Sequence, residues 1–213
     1  MEIKGNNDFS RVGIIDLDGT LSRVNTFTRF VKMMFARYPR LWLPLGRTVA
    51  ERKLRLISHA EAKRRIMRLY ADVGNKRFIE DYLDRLIPLL RREIVKELPL
   101  YSTTVLATAA PEAYAQPLGR RLGFDKVVAT PAEGPECRGE EKVRRLREEG
   151  VTFHHYTVVY TDHCDDLPLL CANKMGTNLI VNPDRNTLAT LQCESEGRGL
   201  NWEILRDAPE YDK

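Results

Sequence analysis

Short apolar runs alternate with helical patterns along this sequence, and that alternation limits the fold more than any other feature. Five runs rich in β-branched residues are typical of buried strands, at residues 11–16, 103–107, 126–130, 157–161 and 178–181. From residue 101 onward, helical patterns separate them, at residues 112–122, 140–149, 167–174 and 184–193. Apolar strands that alternate with helices indicate a parallel sheet that is covered on both faces. The sequence therefore predicts an α/β fold.

One long segment departs from this alternation. Residues 25–96 form successive amphipathic helical patterns with no strand-like run, and Pro99 returns the chain to the sheet. We therefore predict a core of residues 1–23 and 99–213 and a helical insertion at residues 24–98. Residues 22–99 contain 19 lysines and arginines against 8 aspartates and glutamates, so this stretch carries +11 and the rest of the chain −7.

Composition excludes several classes of protein. With 43% hydrophobic and 30% charged residues, the 213-residue chain has the balance of an ordinary globular protein. No apolar stretch is long enough to span a bilayer, and the first ten residues do not form a signal peptide, which predicts a cytoplasmic location. The four cysteines include no CxxC pair, so neither a zinc site nor a disulfide framework is expected.

Polar side chains follow the predicted strands at the edge where ligands of parallel sheets bind. They are Asp16, Asp18, Gly19 and Thr20 after the first strand, Thr108, Ala109 and Ala110 after the second, and Asp162, Asp165 and Asp166 after the fourth. Lys142 opens an intervening helix and can reach the same edge. Converging carboxylates repel one another unless a cation lies between them, and oxygen ligands favour Mg²⁺. The pattern predicts a magnesium site beside a phosphate pocket.

In this order, these residues resemble the haloacid dehalogenase superfamily of phosphotransferases. The segments that carry the resemblance are DLDGT from Asp16, LATAAPEAY around Thr108, CRGEEKVRRL around Lys142 and TDHCDDLPLL from Thr161. An insertion after the first strand is similar to the helical cap of the phosphoserine phosphatase subclass. DLDGTLSRVNTFTRF, CRGEEKV, DDLPLL and NPD resemble the phosphatidylglycerophosphatase C-like hydrolases of subfamily IB more closely. The resemblance implies a Rossmann-like parallel-sheet core.

The resemblance also implies a role for each matching residue. Asp16 is the nucleophile that becomes an aspartyl-phosphate, and Asp18 is the general acid and base. Thr108 and the N–H of Ala109 bind phosphoryl oxygens, and the Lys142 ammonium offsets their charge. The implied magnesium ligands are Asp16, Asp162 and the carbonyl of Asp18, with Asp166 acting through a bound water or by orienting Lys142.

Three positions depart from the family pattern. Thr161 replaces the usual glycine before Asp162, and Ala110 stands where many relatives have serine. The stretch SRVNTFTRF lacks the acidic residue expected of a phosphoserine phosphatase, so recognition of a substrate amino group is not expected. Asp165 is interpreted as a helix cap, with metal contact as the alternative.

The resemblance predicts a Mg²⁺-dependent phosphatase that acts on a small phosphomonoester or on the headgroup phosphate of a phospholipid. A phosphate-binding module without turnover and a phosphotransferase of the same fold stay open as alternatives.

Three interpretations of the basic insertion also stay open: a solvated face, attraction of anionic substrates, and peripheral contact with an anionic membrane. The membrane interpretation rests on FVKMMFARYPRLWLPLGR, where Trp42, Leu43 and Leu45 lie among arginines. Nucleic acid is not expected as a partner, because no recognition motif for it is present.

Overall fold

The computed structural model describes residues 10–207, and a single sheet lies at its centre. The strands of this sheet are β1 Val12–Ile15, β2 Thr103–Pro111, β3 Lys126–Thr130, β4 Thr157–Thr161, β5 Thr177–Val181 and β6 Glu203–Leu205. All neighbouring strands pair in parallel, in the order β3-β2-β1-β4-β5-β6. The two strands beside β1 are β2 and β4, and Val12 pairs with Thr103 on one side and with Thr157 on the other. The first, second and fourth predicted strands are therefore adjacent.

Helices cover both faces of the sheet. Their bounds are α1 Thr26–Arg37, α2 Trp42–Lys53, α3 His59–Ala71, α4 Lys76–Leu86, α5 Arg92–Glu97, α6 Glu112–Leu122, α7 Glu140–Glu148, α8 Leu167–Ala172 and α9 Arg185–Arg198. Successive side chains of β1 enter different hydrophobic clusters, Ile15 with α6 and the helical insertion, and Ile14 with α7, α8 and α9. This alternation is the period of two that a strand imposes. The predicted α/β fold with helices on both faces is confirmed.

Two details of the sheet differ from the sequence prediction. β2 runs on to Pro111 through a register shift between Ala107 and Pro111, so Thr108 lies inside the strand rather than after it. β6 was not predicted, because it has three residues and an exposed Glu203, which leaves no apolar run to detect. Residues 1–9, where most of the segment predicted not to be a signal peptide falls, lie outside the described residues.

The residues between β1 and β2 are helical, with α1 to α5 joined by short turns. Polar side chains define where three of these helices begin: Asn25, Ser58 and Asn75 each accept a hydrogen bond from a backbone N–H of the first turn. Phe30 of α1 is fully buried, with its ring 5.0 Å from that of Tyr114 in α6. The insertion thus packs directly on the sheet-covering helix α6.

None of the helices within residues 10–207 is both long enough and apolar enough to cross a bilayer. The division into residues 1–23 with 99–213 and an insertion at 24–98 stays a prediction.

Candidate active site

The sequence-predicted residues come together at the carboxyl edge of the three central strands. Asp16 follows β1 directly, and its N–H donates to the carbonyl of Tyr160 in β4 at 3.0 Å. Asp162 follows β4, and Thr108 lies near the end of β2. Because these strands are neighbours in the sheet, residues more than a hundred positions apart in the sequence form one polar cluster.

Lys142 is the centre of this cluster. It lies in the first turn of α7, is 2% exposed, and donates to Asp16 Oδ1 at 3.0 Å and to Asp166 Oδ2 at 2.8 Å. Thr161 Oγ1 donates to the same Asp166 oxygen at 2.8 Å. The threonine that replaces the family's usual glycine therefore fixes Asp166, and Asp166 in turn holds Lys142 against Asp16.

Burial and crowding change the pKa values of these groups. Burial raises the pKa of Asp16 to about 8, with the nearby Asp166 and Asp162 adding to the effect and Lys142 opposing it. Burial raises the pKa of Asp162 to about 6. Burial alone would lower the pKa of Lys142, but the carboxylates of Asp16 and Asp166 outweigh it and hold this pKa above its usual value. The edge thus holds more carboxylate charge than Lys142 neutralises.

Gly19 places the loop after β1 against Asp162. It has φ +80°, and a Cβ added there would lie 1.9 Å from Asp162 Oδ2. Thr20 Oγ1 donates to Asp162 Oδ1 at 3.3 Å. Only glycine combines this left-handed backbone with such a close approach. Asp162 is consequently packed on the main chain that follows Asp18.

Arg91 is a further residue of the site that sequence reasoning missed. Its buried Nη1 donates to the carbonyls of Gly19 at 2.6 Å and Thr20 at 2.5 Å, and its Nε pairs with Asp207 at 2.7 Å. Arg91 therefore fixes the backbone of the loop after β1 through two of its carbonyl groups. No sequence signal marks it, because it is one of many arginines in the basic insertion.

Asp18 faces the helical insertion rather than Lys142. Its Oδ1 accepts a hydrogen bond from the N–H of Thr26, the first residue of α1, at 2.6 Å. Burial raises the pKa of Asp18, and this hydrogen bond opposes the increase. A raised pKa favours the protonated carboxyl that a general acid needs. Asp16 and Asp18 thus have separate environments although they are two residues apart.

Thr108 and Ala109, the phosphate-binding residues proposed from the sequence, lie in β2, on the side of β1 away from β4 and Asp162. Thr108 is 1% exposed and its Oγ1 accepts from the N–H of Ala110 at 3.0 Å. A hydroxyl that accepts can still donate its own proton. The carbonyl of Ala109 accepts from Lys63 Nζ at 2.9 Å and from Thr130 Oγ1 at 2.7 Å, which fixes the peptide beside the site.

Asp165 differs from its sequence interpretation as a helix cap. The residue that caps the 3₁₀ helix Cys164–Asp166 is His163, whose ring accepts from the N–H of Asp165 at 3.2 Å. The Asp165 carboxylate instead pairs with Arg138. The cap interpretation is wrong, because Asp165 is the second residue of this 3₁₀ helix and not the residue that precedes it.

The donor set fits a hard divalent cation at one place. Within residues 10–207, no three His, Cys, Asp or Glu side chains are grouped as a metal site. Asp16 and Asp162 have raised pKa values, and Asp162 lies on the backbone after Asp18. Two carboxylates and a carbonyl oxygen are the ligand types that Mg²⁺ takes, with water and phosphate completing the shell.

Comparison with known proteins gives one family and several structural neighbours. The model of the haloacid dehalogenase-like hydrolase family matches residues 14–170, which include all four motif segments. No curated protein matches the sequence. The match confirms the superfamily resemblance, while the assignment to subfamily IB stays a prediction.

Solved structures similar in fold include the following three. A protein of unknown function from Bordetella pertussis Tohama I is 20% identical, with a TM-score of 0.71 over 92% of this chain and 98% of its own. A predicted phosphatase from Clostridium acetobutylicum is 14% identical, with a TM-score of 0.58 over 93% and 94%. A probable phosphoserine phosphatase from Vibrio cholerae is 15% identical, with a TM-score of 0.61; 84% of this chain covers 58% of it. At these identities the similarity shows the fold alone.

Proposed function

Because this chain belongs to the haloacid dehalogenase-like hydrolases, we propose that it hydrolyses phosphomonoesters through an aspartyl-phosphate at Asp16. The expectation of an enzyme of the phosphatase class is confirmed by that membership. The observation that carries the proposed mechanism is the different surroundings of two neighbouring acids. Asp16 accepts a hydrogen bond from the Lys142 ammonium, whereas Asp18 accepts one from the start of α1.

In the first step, a carboxylate oxygen of Asp16 attacks phosphorus and the bond to the leaving-group oxygen breaks. Asp18 donates its proton to that oxygen, so the alcohol leaves neutral. The Lys142 ammonium and the donors of Thr108 and Ala109 stabilise the charge on the phosphoryl oxygens. In the second step, Asp18 removes a proton from water, and the resulting nucleophile attacks phosphorus and releases Asp16 and inorganic phosphate.

We assign Mg²⁺ as the cofactor, held by Asp16, Asp162 and the carbonyl of Asp18. When bound, the ion would offset carboxylate charge and polarise the phosphoryl group. Burial and the nearby carboxylates raise the pKa of Asp16. A cation at this edge would oppose that increase and favour the ionised carboxylate that a nucleophile needs.

The substrate is a small phosphomonoester or a phospholipid headgroup phosphate, and an exposed face of α2 supports contact with anionic membranes. Leu43 of α2 is 83% exposed and Leu54, the C-cap residue of α2, is 70% exposed; because they are eleven positions apart, about three helical turns, they share one outward face. Trp42 and Leu56 flank that face and are also exposed. Leu45, which the sequence pattern grouped with Trp42 and Leu43, is instead fully buried.

Basic residues surround this outward face. Arg47 lies on the same side of α2 as Leu43, Arg40 precedes the helix, and Lys53 and Arg55 flank Leu54; Glu51 pairs with Arg47. Exposed apolar side chains among cations are typical of helices that lie in the membrane interface. We expect co-sedimentation with anionic vesicles but not with neutral ones, and loss of binding in the double variant Leu43→Asp/Leu54→Asp. Leu100→Asp is the control, because Leu100 is 61% exposed outside α2. Equal sedimentation with both vesicle types would exclude the membrane contact.

The reaction is tested by phosphate release from a panel that includes phosphoserine and phosphatidylglycerophosphate, with Mg²⁺ or with EDTA. We expect release only with Mg²⁺ and its loss in Asp16→Asn, while Asp84→Asn, a matched change at an exposed carboxylate of α4, keeps activity. Acid quenching during turnover should trap phosphate on Asp16. Release by Asp16→Asn would refute the mechanism; transfer to an added alcohol would indicate a phosphotransferase; binding without release would indicate a phosphate-binding module.

A further inference from the structure

A cavity of about 540 Å³ lies between α3 of the insertion and the core, next to the candidate active site. Its walls are mainly apolar, with Met67, Tyr70 and Ala71 on the α3 side and Pro111, Ala113 and Pro135 on the core side. This volume lies within the range of small-molecule pockets, which are typically apolar with few polar groups.

The inner end of the cavity borders the residues that would handle the leaving group. Lys63 lines it and donates to the carbonyl of Ala109, whose N–H is proposed to bind phosphate. Thr130 also lines it and binds the same carbonyl. The charge of Lys63 acts on Asp18, the proposed proton donor to the leaving oxygen. A leaving group activated by Asp18 therefore has this cavity beside it.

Ion pairs cross the cavity and neutralise its charges. Lys63 of α3 pairs with Glu136 of the core at the inner end, where both side chains are largely buried. Arg68 of α3 pairs with Glu133 at 3.7 Å, and both of these side chains are exposed. The first pair lies in the wall at the inner end, and the second lies where solvent has access.

The two remaining charged residues of the wall also have partners. Arg64 pairs with Glu61 at 2.8 Å, and Glu112 accepts from the N–H of Ala132 at 3.2 Å. The cavity therefore presents an apolar surface whose charged groups are already neutralised or hydrogen-bonded. Such a surface disfavours a charged ligand, because a buried charge needs a partner of its own.

We infer that the substrate is a phosphomonoester whose alcohol carries an uncharged apolar body, alkyl, acyl or aryl, which occupies this cavity. The inference rests on the proposed phosphatase reaction and names its substrate class. It excludes a zwitterionic alcohol such as serine as the preferred leaving group. Burial of each methylene should strengthen binding by about fourfold.

The first test compares phosphate release from hexyl phosphate, methyl phosphate and phosphoserine by the full-length protein with Mg²⁺. We expect kcat/KM for hexyl phosphate to exceed both others by at least about tenfold, since several methylenes are buried. Ala113→Phe fills the cavity from the core side and Ala71→Phe from the α3 side, so a folding failure of one leaves the other. Each should abolish the preference while methyl phosphate hydrolysis stays within about twofold. Ala189→Phe, an exposed helical alanine of α9, is the control and should keep the preference.

A second test needs no turnover. Hexylphosphonate should bind the Mg²⁺-loaded protein at least about tenfold more tightly than methylphosphonate, and Ala113→Phe should remove the difference. Hydrolysis of all esters with equal kcat/KM, or equal binding of both phosphonates, would overturn the inference while leaving the phosphatase proposal intact. Preferential binding of hexylphosphonate with no hydrolysis of any ester would support the cavity assignment and overturn the proposed reaction.

Discussion

Gly19→Ala should damage both stability and catalysis, because two separate constraints exclude a side chain at this position. Gly19 has φ +80°, and an added Cβ would lie 1.9 Å from Oδ2 and 2.4 Å from Cγ of Asp162. Ordinary contact between such atoms is about 3.5 Å, so the Asp162 carboxylate must move by at least about 1 Å. That movement breaks the hydrogen bond from Thr20 and displaces a proposed metal ligand.

The magnitude follows from these two constraints. A left-handed alanine costs about 1–2 kcal/mol relative to glycine, and losing the Thr20 hydrogen bond adds about 1 kcal/mol. We therefore expect the free energy of unfolding to fall by about 2–3 kcal/mol, which lowers the Tm of a chain of this size by about 5–10 °C. A displacement of about 1 Å at a positioned group costs about 100-fold in rate, so Mg²⁺-dependent kcat/KM should fall by about that factor.

Gly123→Ala separates the two constraints. Gly123 also has φ +80°, but nothing lies within 4 Å of an added Cβ, so only the backbone cost applies and activity should be retained. In the Asp162→Ala background, which lacks both the colliding carboxylate and the hydrogen bond from Thr20, Gly19→Ala should cost only as much stability as Gly123→Ala costs in the wild type. Thermal unfolding and phosphate release measure both quantities. Equal Tm losses in the two single variants, with activity kept in both, would refute the reasoning.

Three further outcomes follow from the site. In EDTA, the free energy of unfolding should fall as pH rises from about 4 to about 8, because folding raises the pKa of Asp16 and the folded state loses the proton it holds more tightly. Asp16→Asn removes the Asp16 contribution to this dependence, leaving those of Asp18 and Asp162, and should be more stable than wild type at pH 8 in urea unfolding, with the difference vanishing near pH 4. Thr161→Val removes the hydroxyl that holds Asp166 and should lower kcat by about 3–10-fold in steady-state kinetics, for a hydrogen bond of about 1 kcal/mol. Arg91→Gln should lower stability by about 3 kcal/mol in the same urea assay, because two buried carbonyls lose their donor.

The parts of the fold that follow from short-range patterns could be predicted from the sequence. Runs such as residues 157–161 are rich in β-branched residues and buried at every position because both faces of a central strand are covered, and this composition distinguishes them from the helical patterns around them. The site residues Asp16, Lys142 and Asp162 could be placed at one edge because parallel strands end on the same side of a sheet. That these three side chains lie near one another was predictable, but the hydrogen bonds between them were not.

The parts that depend on contacts between distant segments could not be predicted. Arg91 and Lys63 are single cations among many in a basic segment, and only the packed structure shows that each binds a backbone carbonyl beside the site. Leu45 and Leu43 have the same side-chain chemistry, but they lie on opposite faces of α2 and have opposite exposure. Which apolar face of a helix meets the core depends on packing against other helices, and a helix with apolar residues on both faces leaves this undetermined.

The contacts of the insertion also restrict how a substrate can enter. Thr26 binds Asp18 through its N–H and Tyr82 through its carbonyl, and Phe30 is buried against Tyr114, so α1 and α4 are fixed to the site by buried contacts. Moving them away would leave Asp18 without its partner and expose aromatic surface, which is costly. The exposed pair between α3 and Glu133 is weaker, because solvent screens it. We therefore expect entry through the outer end of the cavity beside α3, with α1 and α4 staying in place during turnover.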